Sequence, residues 1–276
     1  LLKWYISVMS DYQFQRELSP RNILLDLMGV NHPQPLEAGF LAIISDIFDV
    51  PVNNLRVALT RLVAKGMLDN TQRGVYRLSP KAMARNEFAR RWKEPQSSSS
   101  DWDGSWIACH LGKGVNRSVR SKSLNALSWF GFKPGLDLLW VRPNNLLQAA
   151  PQLQVTLQEI GLETQAHLFS MNDLEPNLVK HWKTLWPIQT LNSSYVDLNQ
   201  QLISSYQHLS NTAVKTSLLE TCVLGSEAIH CLAIDPQLPQ EIRPGNEYET
   251  LRKTMLDYDQ AGRKIWLKQL SSLGIS

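Results

Sequence analysis

Long apolar runs are missing from this chain of 276 residues, and nothing in it approaches the roughly 18 consecutive apolar residues that a membrane-spanning helix needs. The opening Leu-Leu-Lys-Trp-Tyr-Ile-Ser-Val-Met is too short and too interrupted for a secretory h-region. Neither a transmembrane nor an exported protein is expected. Cysteine is scarce as well. Cys109, Cys222 and Cys231 are odd in number and far apart, which argues against a disulfide framework and for a reducing compartment, with the cytoplasm as the default. Neither Cys109 with His110 nor Cys222 with His230 and Cys231 has paired metal-ligand spacing, so no metal and no cofactor is expected. Catalytic signatures are also lacking. Gly225-Ser226-Glu227 has no glycine to complete G-x-S-x-G, and Gly112-Lys113-Gly114 lacks both the spacing of a phosphate loop and its Ser or Thr.

What is present is enough apolar material for a core: 43% hydrophobic, 8% aromatic and 19% charged residues, at a length that fits two domains or three small ones. The formal net charge of +3 decides little. Its distribution decides more. From Pro51 to Lys93 ten basic residues face two acidic ones, a net +8 that leaves −5 on the other 233 residues. Such a block is the footprint of a polyanion-binding module, with a solvated helix face as the bland alternative.

The order of elements in and before this block favours the first reading. A helix is expected from Ser19-Pro20, with Ile23, Leu24, Leu27 and Met28 at helical spacing before Gly29. A second runs within Leu36 to Phe48, burying Phe40, Leu41, Ile44, Ile47 and Phe48. In the third, Asn54 to Lys65, the stripe Leu55, Ala58, Leu59, Leu62 and Val63 follows i, i+3, i+4, i+7, i+8. Two short strands, Met67 to Asp69 and Val75 to Leu78, flank a turn over Asn70 to Gly74. Three helices and a hairpin in this order describe a winged helix-turn-helix. Its third helix would enter the major groove with Asn53, Asn54, Arg56, Val57, Thr60, Arg61 and Lys65 outward, and Gln72 and Arg73 would form the wing. Asn suits adenine, Arg suits guanine, and Thr60 suits a phosphate or a thymine methyl. The bland alternatives are solvation of Arg56 and Arg61, or a brace between Arg61 and Asp69.

Beyond a basic helix expected over Pro80 to Lys93, the four serines within residues 95–101 mark a linker. Residues 102–172 then alternate: strand Ile107 to Leu111, helix through Val119, Leu124, Leu127 and Trp129, strand Leu138 to Val141, helix Leu146 to Ile160, strand Ala166 to Ser170. This alternation suggests a ferredoxin-like α/β sandwich. Residues 173–276 read as a mainly helical domain with Trp182, Trp186, Tyr195, Leu198, Leu202, Tyr206 and Leu209 on its apolar face. The expected class is α+β, with domains at 1–94, 102–172 and 173–276.

Five motifs then coincide in order and spacing: Leu55 to Leu62, Tyr76-Arg77-Leu78-Ser79, Trp102-Asp103-Gly104-Ser105-Trp106, Trp129-Phe130-Gly131-Phe132, and Asp235-Pro236-Gln237-Leu238-Pro239. Together they resemble the PaaX family of transcriptional regulators over nearly the whole chain. The resemblance implies a cytoplasmic repressor of phenylacetate-type catabolism, bound to operator DNA as a homodimer and released by an aryl-acyl-CoA such as phenylacetyl-CoA. It also implies a Cas2-like middle domain, and Arg56 and Arg61 fall on the family's recognition-helix arginines. Two departures stand out: Ser226, Ile229 and His230 replace the family's His and paired arginines before Asp235, and the wing has one basic residue.

The Cas2 likeness raises a metal-dependent nuclease as an alternative. The strand Trp106 to Leu111 contains no acid, however, and Asp101 and Asp103 lie just before it, so an enzyme is not expected. A DNA-bound structural protein without an effector is the other alternative. Trp182, Trp186, Tyr195 and Tyr206 could line an aryl-acyl pocket, with Lys113 or Arg117 on a CoA phosphate. Ordinary core aromatics and surface cations are the plainer reading of those residues.

Overall fold

The computed structural model describes residues 19–30, 35–80, 82–83, 91–93 and 102–272. It combines helices with two small antiparallel sheets, and no helix among the described residues is long and apolar enough to cross a membrane. The chain divides into two compact units, each discontinuous in sequence: residues 1–93, 194–233 and 250–276 form one, and 94–193 with 234–249 form the other. The segment 173–276, read above as one helical domain, is therefore shared between both. The serine-rich segment 95–101 lies outside the described residues.

In the first unit α1 (Pro20–Val30) starts where the Ser19 hydroxyl accepts the Asn22 N–H at 3.3 Å. A two-residue strand β1 (Leu36–Glu37) precedes α2 (Phe40–Phe48), which stops at Asp49 in the left-handed region, φ 53°. Pro51 then opens α3 (Val52–Ala64). Strands β2 (Leu68–Gln72) and β3 (Val75–Leu78) make a hairpin, and the sheet order is β1-β3-β2. The Ser79 hydroxyl donates to the Gly66 carbonyl at 2.7 Å and accepts the Ala82 N–H at 3.2 Å, tying the hairpin exit back to the end of α3.

The apolar stripes of α1, α2 and α3 close on one core. Two later helices complete it. Leu218 of α8 (Val214–Ala233) is buried in the same cluster, and Ile265 and Trp266 of α9 (Glu247–Ser272) pack against it. The basic helix expected over Pro80 to Lys93 lies largely outside the described residues, but Arg91–Lys93 forms a 3-10 turn.

The second unit carries β4 (Trp106–His110), α4 (Arg117–Trp129), β5 (Lys133–Leu136), β6 (Leu139–Pro143), α5 (Ala150–Glu159) and β7 (His167–Met171). Its sheet order is β5-β6-β4-β7, all antiparallel. Strand β5 corrects the expected strand–helix–strand–helix–strand alternation, because a β-hairpin stands where a single strand was read. Its sequence, Lys-Pro-Gly-Leu, hides it: proline and glycine weaken a strand interior and are tolerated at an edge.

One face of this sheet buries Trp106 and Ala108 against Trp182 and Trp186, near α6 (Pro176–Lys183) and the start of α7 (Ile188–His208). Three of the motifs quoted above meet here. Trp102 stands edge-on to Trp106 with ring centres 5.5 Å apart, the Trp186 indole donates to the Gly131 carbonyl at 3.0 Å, and Gly131 abuts Pro236. Arg142, wholly buried, donates to the carbonyls of Phe130, Pro143 and Pro236, and Asp235 pairs with Arg243. Burial pulls the Arg142 guanidinium down to about 9, and the Asp235 charge opposes the shift. These motifs build a core.

Candidate nucleic-acid interface

Helix α3 divides its residues by angle. Leu55, Ala58, Leu59 and Leu62 are buried, which turns Asn53, Asn54, Arg56, Val57, Thr60 and Arg61 to solvent. Lys65, at the C-terminal cap, is exposed beside them. All of the polar residues proposed from sequence thus stand in the open, along with Gln72 and Arg73 at the hairpin end. The bracing alternative for Arg61 fails. Asp69 stands opposite Arg77 across the hairpin, and no ion pair joins it to Arg61.

Thr60 is more restricted than sequence suggests. Its hydroxyl donates to the Arg56 carbonyl at 3.1 Å, so the proton is spent within the helix and the methyl is left for a partner. The hairpin also differs from expectation. Strand β2 continues to Gln72, leaving Arg73-Gly74 as a two-residue turn with Gly74 at φ 80°, and an irregularity falls between Asn70 and Gln72. Asn70 and Thr71, read above as turn residues, are exposed members of this strand. The β-branched Thr71 was the one signal that could have placed them.

Not every cation of the basic block is available. Lys93 bonds Asp259 at 2.7 Å, and Asp259 also takes Arg263 at 3.0 Å. Lys81, Arg85 and Arg90 lie outside the described residues.

The other chemistry-bearing residues do not converge. Asp103, ahead of β4, accepts the Ser105 N–H at 2.8 Å, and hydrogen bonding to Ser105 holds its carboxyl below the usual carboxylate range. Asp101 lies outside the described residues. The four aromatics offered as an acyl pocket are divided, with Trp182 and Trp186 buried in the second unit while Tyr195 is buried and Tyr206 exposed in the first. They cannot line one site within either unit. Lys113 and Arg117 are exposed at the start of α4. A small groove, partly open to solvent, does lie in the first unit between α8 and α9. Its walls include Leu27, Gly225, Ser226, Ile229, Tyr258 and Trp266. Leu27 belongs to α1, which packs on α3, so the groove adjoins the support of the exposed basic helix.

No protein-family model matches the chain, and no curated protein is similar to it in sequence. Among solved structures it resembles the uncharacterized protein Rv0674 from Mycobacterium tuberculosis, at 22% identity and a TM-score of 0.59, over 90% of this chain and 97% of that one. At that identity the likeness concerns the fold.

Proposed function

We propose that this protein is a sequence-specific DNA-binding transcriptional regulator of the PaaX kind, a cytoplasmic repressor rather than an enzyme. In this reading α1 to β3 are a winged helix-turn-helix and β4 to β7 a ferredoxin-like, Cas2-like domain, whose β-α-β-β-α-β order supports the name. Helix α3 enters the major groove of operator DNA, where Arg56, Asn53 and Asn54 read base edges, Thr60 offers its methyl, and Arg61 and Lys65 hold phosphates. Gln72 and Arg73 follow the backbone from the wing. The observation that carries the reading is the angular split of α3, apolar stripe inward and polar-basic face outward, with a hairpin directly after it.

Two protomers bind an inverted repeat, and an aryl-acyl-CoA releases them. The groove between α8 and α9 is the place where an apolar acyl group could act on α1 and so on α3. The experiment is a footprint across the genome's promoters with and without phenylacetyl-CoA. Protected inverted repeats that open on adding the thioester are expected. Retention of no duplex above heparin competition would refute DNA reading, and an unchanged footprint at saturating thioester would remove it as effector.

A further inference from the structure

Strands β4 and β7 are antiparallel neighbours in the second unit's sheet, with Trp106 opposite Met171, Ala108 opposite Phe169 and His110 opposite His167. Side chains two residues apart on a strand share a face, so these six occupy one face while Ile107 and Cys109 turn to the other. The tryptophan cluster covers only one end of that face. Trp106, Ala108 and Met171 pack into it, whereas Phe169 is 42% exposed and both histidines are exposed. The open end of the sheet therefore presents two imidazoles, from strands hydrogen-bonded to each other, and β6 flanks His110 on its other side with Leu139. Residues directly opposite in an antiparallel pair have Cβ atoms about 4.5–5.5 Å apart. From there two imidazole nitrogens can reach a common point at the roughly 2.0–2.1 Å of a metal–nitrogen bond.

We infer that His110 and His167 form a chelating site for a divalent transition metal of the Cu2+, Ni2+ and Zn2+ class. Imidazole nitrogen suits these ions, while Mg2+ and Ca2+ demand oxygen. The ladder between β4 and β7 holds the second imidazole close to an ion bound by the first, so the pair binds more tightly than scattered surface histidines. No group of three or more His, Cys, Asp or Glu suited to a metal occurs among the described residues, so water or an incoming donor completes the coordination and the site stays open to exchange. The expectation of no metal site considered Cys109 as the partner of His110. That thiol lies on the opposite face, and the partner comes from across the ladder, where linear spacing cannot reveal it.

The inference is read on protein without DNA and does not rest on the proposed function. With any affinity tag removed, the full chain titrated with Cu2+ at neutral pH should take up one ion per chain most tightly, with an electron paramagnetic resonance spectrum split by two nitrogens. Zn2+ should bind more weakly and Mg2+ should not compete. His110→Ala and His167→Ala should each raise the Cu2+ dissociation constant about tenfold or more. His181→Ala, at an exposed histidine of α6, should leave it unchanged. The wild-type spectrum keeps the test decisive if either strand variant misfolds. A spectrum split by a single nitrogen, folded His110→Ala and His167→Ala that bind like the wild type, or an equal loss in His181→Ala would overturn it.

Discussion

Arg56 extends from the solvent face of α3 with no ion-pair partner among the described residues, which is the condition for reading a base rather than bracing the fold. If it pairs bidentately with guanine, Arg56→Ala should weaken specific binding by about 1–3 kcal/mol and relax the preference at one base position. Fluorescence anisotropy against matched and single-substituted duplexes measures both effects. Cys109 is its opposite in character. Fully buried on β4, its thiol is pushed from 9.0 up to about 12, first by desolvation and then by the nearby Glu163. The unfolded chain therefore releases this proton first. The contribution is constant below about pH 9 and is lost as pH rises toward 12, so the denaturation midpoint should fall over that range and fall less in Cys109→Ala. Iodoacetamide labelling at neutral pH should reach Cys109 only after unfolding.

At the level of elements, the turn after α4 and the segment opening at Asp235 are built for each other. Gly131 has φ +72°, and a Cβ there would lie 2.8 Å from Pro236 Cα. Gly131→Ala should accordingly cost about 2 kcal/mol or more, from backbone strain and from overpacking against a neighbour that is itself main chain. A shift of the urea midpoint reports it, and Gly104→Ala, with φ +85° but open space around it, gives the strain contribution alone. The helix stop at Gly131 was legible from sequence; its contact with Pro236 was not, because a motif's spacing says nothing of what lies across from it. The amphipathic helices before and within α3 could be read for the same reason that they fold: their apolar residues recur at helical period. Strands β1 and β5 escaped because two residues, or four including proline and glycine, carry no alternation to read. The outward face of α3 followed from its inward stripe. The grouping of Trp182 with Tyr195 did not hold, since one continuous helical pattern contributes to two separate cores.

For the whole molecule, the proposed DNA reading has an electrostatic consequence, a strong salt dependence. With Arg56, Arg61, Lys65 and Arg73 exposed on each protomer, a dimer that neutralises even half of these against phosphate should show a log–log slope of operator affinity against salt of about −4 or steeper. Anisotropy titrations between low and physiological salt measure it, and Lys65→Ala should flatten the slope by about two for the dimer while changing all sequences alike. Base preference should survive the salt series because it resides in few contacts.

The core beneath α3 also has a history in time. Leu218, Ile265 and Trp266 close it from positions far downstream of the helices they cover. During synthesis, α1 to β3 emerge from the ribosome long before these side chains exist, and must wait with part of their apolar surface uncovered. A messenger cut short within α8 would thus yield a nascent chain whose apolar surface stays uncovered, suited to chaperones and proteases.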